Sequence, residues 1–110
     1  MAKVDLTKMS YKEIEQRYID CDIKGKYKFR NANEVKKVFG WDFRTMRGFK
    51  DLSEENKIIA EFLICNYLNG FGLGIRHKQR PTSIKFEGNK FKVNIKDDGF
   101  SYLYLNGTVG

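Results

Sequence analysis

Histidine occurs once and cysteine twice in the 110 residues, and no apolar run resembles a signal peptide or a membrane span. His77 stands without Asp, Glu or Cys at ligand or triad spacing, so it is expected to be an exposed loop residue and not a metal ligand or a general base. Cys21 and Cys65 are far apart and form no CxxC. They read as reduced core residues of a cytoplasmic protein, not as a disulfide or a zinc site. Acidic residues are outnumbered, 14 to 21, and fall mostly at helix starts and turns, where capping explains them. General acid–base chemistry needs a perturbed carboxylate or histidine in a pocket. The expectation is therefore a non-enzymatic protein with no cofactor, no metal, no small-molecule substrate and no membrane partner.

What the chain does have is positive charge in blocks. Residues 23–50 carry a net +7 and residues 71–96 a net +6, on either side of a stretch, 51–70, that carries −3. Such polarity argues for an anionic partner, nucleic acid or an acidic protein surface, and does not bear on the fold. The length suits one domain across 1–110, with 1–8 and 106–110 expected to fray.

Ile58 to Leu68 is apolar nearly all round, interrupted by Glu61 and Asn66, and predicts a helix over 54–69 buried on most sides. Asp51 or Ser53 caps its start, and Asn69-Gly70 stops it. Upstream, Ser10-Tyr11-Lys12-Glu13 is a capping box for a helix over about 11–21. Ile23, Tyr27 and Phe29 then alternate with Lys24, Lys26, Lys28 and Arg30, which predicts a strand with a basic outer face. Asn31 or Asn33 opens another helix, whose apolar face is Val35, Val38 and Phe39 and whose stop is Gly40.

Val35, Phe39, Trp41, Met46 and Phe49 surround that glycine at the places where two helices of a helix-turn-helix pack together, so residues 32–50 resemble that DNA-binding family. The resemblance implies a second helix from about Asp42 to Lys50 lying in the major groove. Arg44, Thr45 and Arg47 would then meet base edges, and Lys36, Lys37 and Lys50 would meet phosphates.

Gly70-Phe71-Gly72-Leu73-Gly74 is no phosphate cradle, because it follows a helix C-terminus and lacks a Lys-Ser/Thr pair. The residues behind it, Arg76, Lys78 and Arg80, form a basic arm able to grip phosphates. The last third predicts a three-stranded antiparallel meander. Gly88-Asn89 turns 84–87 against 90–96, placing Phe86 opposite Phe91, Ile84 opposite Val93 and Lys85 opposite Lys92.

The turn before the third strand, about Phe100 to Leu105, leaves two registers. A two-residue Asp98-Gly99 loop sends Tyr102 and Tyr104 to the core. A three-residue Asp97-Asp98-Gly99 loop sets Leu103 opposite Val93 and puts the tyrosines outside, and it is favoured because leucines are the cheaper residues to bury. It yields a face bearing Phe100, Tyr102 and Tyr104 among Lys85, Lys92 and Lys96, suited to stacking bases and tracking phosphates.

The expected architecture is α+β, with N-terminal helices and a long buried central helix packed on a C-terminal three-stranded antiparallel sheet. The expected function is nucleic-acid binding through the helix pair or the basic, aromatic sheet face. The rival class is a phage or mobile-element interaction protein that inhibits a host nucleic-acid-handling enzyme, such as a CRISPR nuclease, by protein–protein binding.

Overall fold

The computed structural model describes residues 5–110, and the fraying expected at 1–4 lies outside the described residues. Four helical segments, α1 Tyr11–Asp20, α2 Lys24–Tyr27, α3 Ala32–Phe39 and α4 Glu54–Asn69, precede an antiparallel sheet of β1 Pro81–Phe86, β2 Lys90–Ile95 and β3 Phe100–Tyr104, ordered β1-β2-β3. This is the α+β arrangement the sequence predicts. The caps explain the helix starts: Ser10 and Glu13 form the reciprocal box of α1, Asn31 accepts from the Glu34 amide, and Ser53 accepts from the Asn56 amide. Gly40 ends α3 with φ 81°, a left-handed conformation that glycine adopts without the Cβ penalty.

α4 lies between α3 and the sheet, burying Ala60, Leu63, Ile64, Cys65, Tyr67 and Leu68. Its polar residues serve the segment before α3. Glu61 accepts from the Ala32 amide at 2.8 Å, and the Asn69 carboxamide bonds both the N–H and the C=O of Phe29 at 2.8 and 2.9 Å. The expected burial on most sides needs one amendment, since Ile58 and Phe62 are 71% and 60% exposed. They share with Asn66 the stripe of α4 that no other element covers among the described residues. Both cysteines are free thiols. Cys65 is buried, which pushes its thiol up to about 12, and Cys21 is half-buried.

No strand forms over 23–30. Gly25, Lys26 and Tyr27 all take φ near +65°, and the Lys28 amide closes the turn on the Lys24 carbonyl at 3.1 Å. Left-handed backbone costs roughly 1–2 kcal/mol per non-glycine residue, so tertiary contacts must hold this turn. The alternation in sequence survives only as burial of Ile23 and Phe29 beside the exposed lysines.

Arg76 supplies much of that hold. It is 5% exposed, and its guanidinium donates to the carbonyls of Tyr27, Asn69 and Phe71 while lying 5.7 and 5.8 Å from the ring centroids of Tyr18 and Phe29. The expected phosphate-gripping role of Arg76 is thereby corrected. Its donors are occupied by the left-handed turn and the end of α4, where the exposed carbonyls of a helix C-terminus favour a cation.

In the sheet, Ile84 opposes Val93, Lys85 opposes Lys92 and Phe86 opposes Phe91, as the Gly88-Asn89 turn predicts. β3 pairs with Leu103 opposite Phe91, Tyr102 opposite Lys92 and Tyr104 opposite Lys90. The favoured parity holds, with Leu103 2% exposed in the core, but the register is two residues away from the expected Leu103–Val93 pairing. The loop is Lys96-Asp97-Asp98, closed by the Ile95 amide on the Gly99 carbonyl, with Asp97 itself at φ 61°.

Both tails described are better ordered than expected. Asp5 caps a short turn, Leu6–Lys8, that buries Leu6. After a reversal at Gly107, the Tyr104 amide donates to Thr108, and Tyr102 and Gly110 exchange two backbone hydrogen bonds, so 108–110 cover the outer edge of β3.

Replacing Arg76 by Met leaves three partly buried carbonyls without a charged donor, and is expected to lower the unfolding free energy by about 3 kcal/mol. Urea denaturation measures this. Lys78→Ala, an exposed change two residues on, is expected to stay within about 0.5 kcal/mol of the parent.

Candidate functional site

Successive residues of a strand face opposite ways, so burying Phe91, Val93, Ile95, Ile84 and Leu103 commits their neighbours to the other face of the sheet. Three cross-strand rows result. Lys85, Lys92 and Tyr102 form one, Glu87, Lys90 and Tyr104 the next, and Ser83, Asn94 and Phe100 the third. Arg47 extends the third row. Its amide donates to Thr82 and its carbonyl accepts from Ile84, making a parallel bridge to Ser83. Cations thus crowd toward β1 and its flank, and aromatic rings line β3.

The rings and ammonium groups touch. Phe100 meets Tyr102 edge to face at 5.3 Å, and Tyr102 lies 6.4 Å from Tyr104. Lys92 Nζ sits 4.4 Å from the Phe100 centroid, and Lys90 Nζ sits 5.0 and 5.8 Å from those of Tyr102 and Tyr104. These cation–π contacts are worth about 0.5–1 kcal/mol each where exposed, so a competing base or phosphate can displace them at small cost. Arg47, Lys85, Lys92, Ser83 and Asn94, with Asp51 at the rim, border a shallow depression of about 450 Å³ beside the rings. Asn94 Nδ2 donates to Ser83 Oγ at its floor.

Lys90 belongs to this face as fully as the lysines and aromatic residues singled out from sequence. The signal for Lys90 was present in the alternation Lys90, Lys92, Asn94. Lys96 departs from the face at the loop, and its amide donates to the Arg80 carbonyl. With Arg80, Arg47 and Thr82 it lines a second depression, of about 240 Å³, around the end of β1.

The helix expected over Asp42 to Lys50 does not form. Two single turns, Phe43–Thr45 and Phe49–Asp51, flank an extended Met46 and a left-handed Gly48 at φ 89°. A Cβ at Gly48 would come within 2.3 Å of the Ile84 carbonyl oxygen, so glycine here lets the segment run against β1. Packing against the sheet edge outweighs helix formation, and no α-helix of 42–50 is present to enter a groove.

Arg44 is tied to Asp42 at 2.7 Å and to Asn33, and the Thr45 hydroxyl donates to the Asp42 carbonyl. The Arg44 hydrogen bonds and charge hold the Asp42 carboxyl below its ordinary range despite its burial. The base-reading roles expected of Arg44 and Thr45 are therefore not available in this geometry. Arg47 is displaced to the sheet face. Lys36, Lys37 and Lys50 are exposed, Lys36 and Lys37 on α3 and Lys50 on the second turn.

His77 is half-buried, not exposed as expected. Its ring lies 6.4 Å from Phe39, and neither nitrogen has a hydrogen-bond partner among the described residues. Burial, with Lys78 nearby, pulls its pKa below 6.5 against the opposing pull of Asp5. Lys78 and Arg80 remain exposed, and the Arg80 guanidinium lies 5.7 Å from the Trp41 ring.

Among the described residues no group of three or more His, Cys, Asp or Glu converges as a metal site, and no helix is long and apolar enough to cross a membrane. The fold and this face define an α+β domain carrying a basic, aromatic sheet surface. Comparison with protein-family models, with curated proteins and with solved structures gave no match.

A histidine whose folded pKa is depressed binds its proton more readily in the unfolded chain, so stability rises with pH through this window. The unfolding free energy is expected to fall as pH drops below 6.5 toward the folded value. His77→Phe is expected to flatten that slope, since the chain has no other histidine. Urea melts at several pH values between roughly 7.5 and 5.5, above the carboxylate range, measure both.

Proposed function

We propose that this protein binds single-stranded nucleic acid on the outer face of its sheet. The observation that carries the reading is the register that sets Lys85 and Lys92 in a row with Tyr102, and Lys90 in a row with Tyr104. Bases present apolar π-faces to aromatic side chains, and the flanking phosphates need cations within a few ångströms. Same-face residues recur about every 6.7 Å along a strand and about 4.8 Å across it. Neighbouring rings and neighbouring cations can thus engage successive nucleotides of one extended strand. Such contacts read shape and charge more than sequence, so the preference is for single strands over duplex and is tolerant of base identity.

The major-groove mode implied by the resemblance of 32–50 to a helix-turn-helix receives no support from two short turns with Arg44 tied to Asp42. The rival reading, an inhibitor that docks on a nucleic-acid-handling enzyme, draws support from exposed Ile58 and Phe62 on α4, a side chain pair of the kind found at protein interfaces. The two part on whether generic oligonucleotides bind the protein alone.

Fluorescence anisotropy with labelled single-stranded and duplex oligonucleotides at several salt concentrations is the test. Binding is expected to be tighter to single strands and to fall with salt. Lys85→Ala or Lys92→Ala is expected to lower the magnitude of the log–log salt slope by about 0.7. Tyr102→Ala is expected to cost about 1–3 kcal/mol of affinity, while Lys36→Ala, on α3, leaves affinity unchanged. Absence of binding to any oligonucleotide at low salt contradicts the proposal and favours the protein-docking alternative.

A further inference from the structure

Three depressions run into one another around the β1 end of the sheet. The one bordered by Lys85 and Lys92 shares Arg47 with the small one at Thr82, which in turn shares Arg80 and Lys96 with a third of about 600 Å³. The third differs in character. Its wall includes the rings of Trp41, Phe39 and His77, with Leu6 beneath, and it lies where the turn after α3, the 76–80 segment and the β2–β3 loop converge. Trp41 is half-buried and packs against Phe39 with ring centroids 5.1 Å apart and the planes tilted by 34°. The Arg80 guanidinium lies over the Trp41 ring face, 5.7 Å from the centroid.

We infer that this Trp41 pocket takes the terminal base of the bound strand, with its phosphate held between Arg80, Lys96 and Arg47 at the neighbouring depression. The inference rests on the sheet-face reading. It adds an end to the track and a specific nucleoside site.

The division of charge between the two cavities favours it. The smaller cavity sets Arg47, Arg80 and Lys96 around a polar floor, and its single acid, Asp42, is already neutralised by Arg44. The Trp41 pocket shares Arg80 and Lys96 with it, adds Lys78, and sets Asp5, Asp97 and Asp98 against these three cations. A net-neutral pocket with an aromatic wall suits a base, whose ring stacks and whose edge carries both donors and acceptors, better than it suits a bare phosphate. His77, whose two ring nitrogens are buried without partners among the described residues, lines the same pocket.

Trp41 is the sole tryptophan, so its emission reports on this pocket alone. The full chain is titrated with a short single-stranded oligonucleotide, with the same strand made abasic at both terminal nucleotides, and with inorganic phosphate, following anisotropy and tryptophan emission together. The intact strand is expected to bind and quench Trp41. The abasic strand is expected to bind about tenfold more weakly with emission unchanged, and phosphate is expected to leave emission unchanged.

Arg80→Ala, at an exposed side chain, is expected to weaken the intact strand by about tenfold and the abasic strand, which keeps the phosphate, by a similar factor. Binding of the intact strand with Trp41 emission unchanged overturns the pocket while sparing the sheet face. Equal quenching by intact and abasic strands also overturns it. Absence of binding by any strand removes the sheet-face reading, and the pocket falls with it.

Discussion

Everything proposed for this protein turns on which way β3 faces. Because side chains alternate, a single choice decides four positions at once: either Leu103 is inside and Phe100, Tyr102 and Tyr104 are outside, or the reverse. Burying Leu103 against Phe91 removes an aliphatic side chain from water without stranding a hydroxyl, whereas burying the tyrosines would require partners for each phenol. The core energetics of one leucine thereby create the aromatic surface. β2, paired on the other side, presents lysines on the same face because Phe91, Val93 and Ile95 occupy the core positions.

The remaining elements hold that sheet and shape its border. α4 supplies the apolar layer under β3 and uses Glu61 and Asn69 to satisfy the backbone of residues 29–32. Arg76 links the end of α4 to a left-handed turn that would be unfavourable alone. Glu34 belongs to the same network. Its burial opposes ionisation, but the hydrogen bonds and charge of Arg30 outweigh this and keep its pKa below the ordinary value. At the sheet's free flank, Gly48 lets residues 47–49 approach β1 closely enough for Arg47 to join the face.

Much of this was legible in the sequence wherever a signal was local. The capping box at Ser10, the Gly88-Asn89 hairpin and the alternation in β1 and β2 are patterns of a few residues with one physical reading, while the caps of α3 and α4 were narrowed to Asn31 or Asn33 and to Asp51 or Ser53. The errors fall where a distant contact decided. Residues 23–30 alternate like a strand, but Arg76 and Asn69 hold them as a turn and an extended link. Residues 42–50 carry helical spacing, yet the edge of β1 offers hydrogen bonds that draw Arg47 into extended backbone. Arg76 looked like Lys78 and Arg80 in composition, and only the convergence of three carbonyls separates them. The convergence of Trp41, His77 and Lys96 joins residues far apart in the chain, so no window of sequence could display it.

The most direct test of the central claim is a titration of the isotopically labelled protein with a single-stranded oligonucleotide, followed residue by residue in amide NMR spectra. The account predicts that the largest shifts fall on Lys85, Lys90, Lys92, Tyr102 and Tyr104 and on the Arg47 flank. Shifts confined to α3 and residues 42–50, or to the Ile58 and Phe62 stripe of α4, would contradict it.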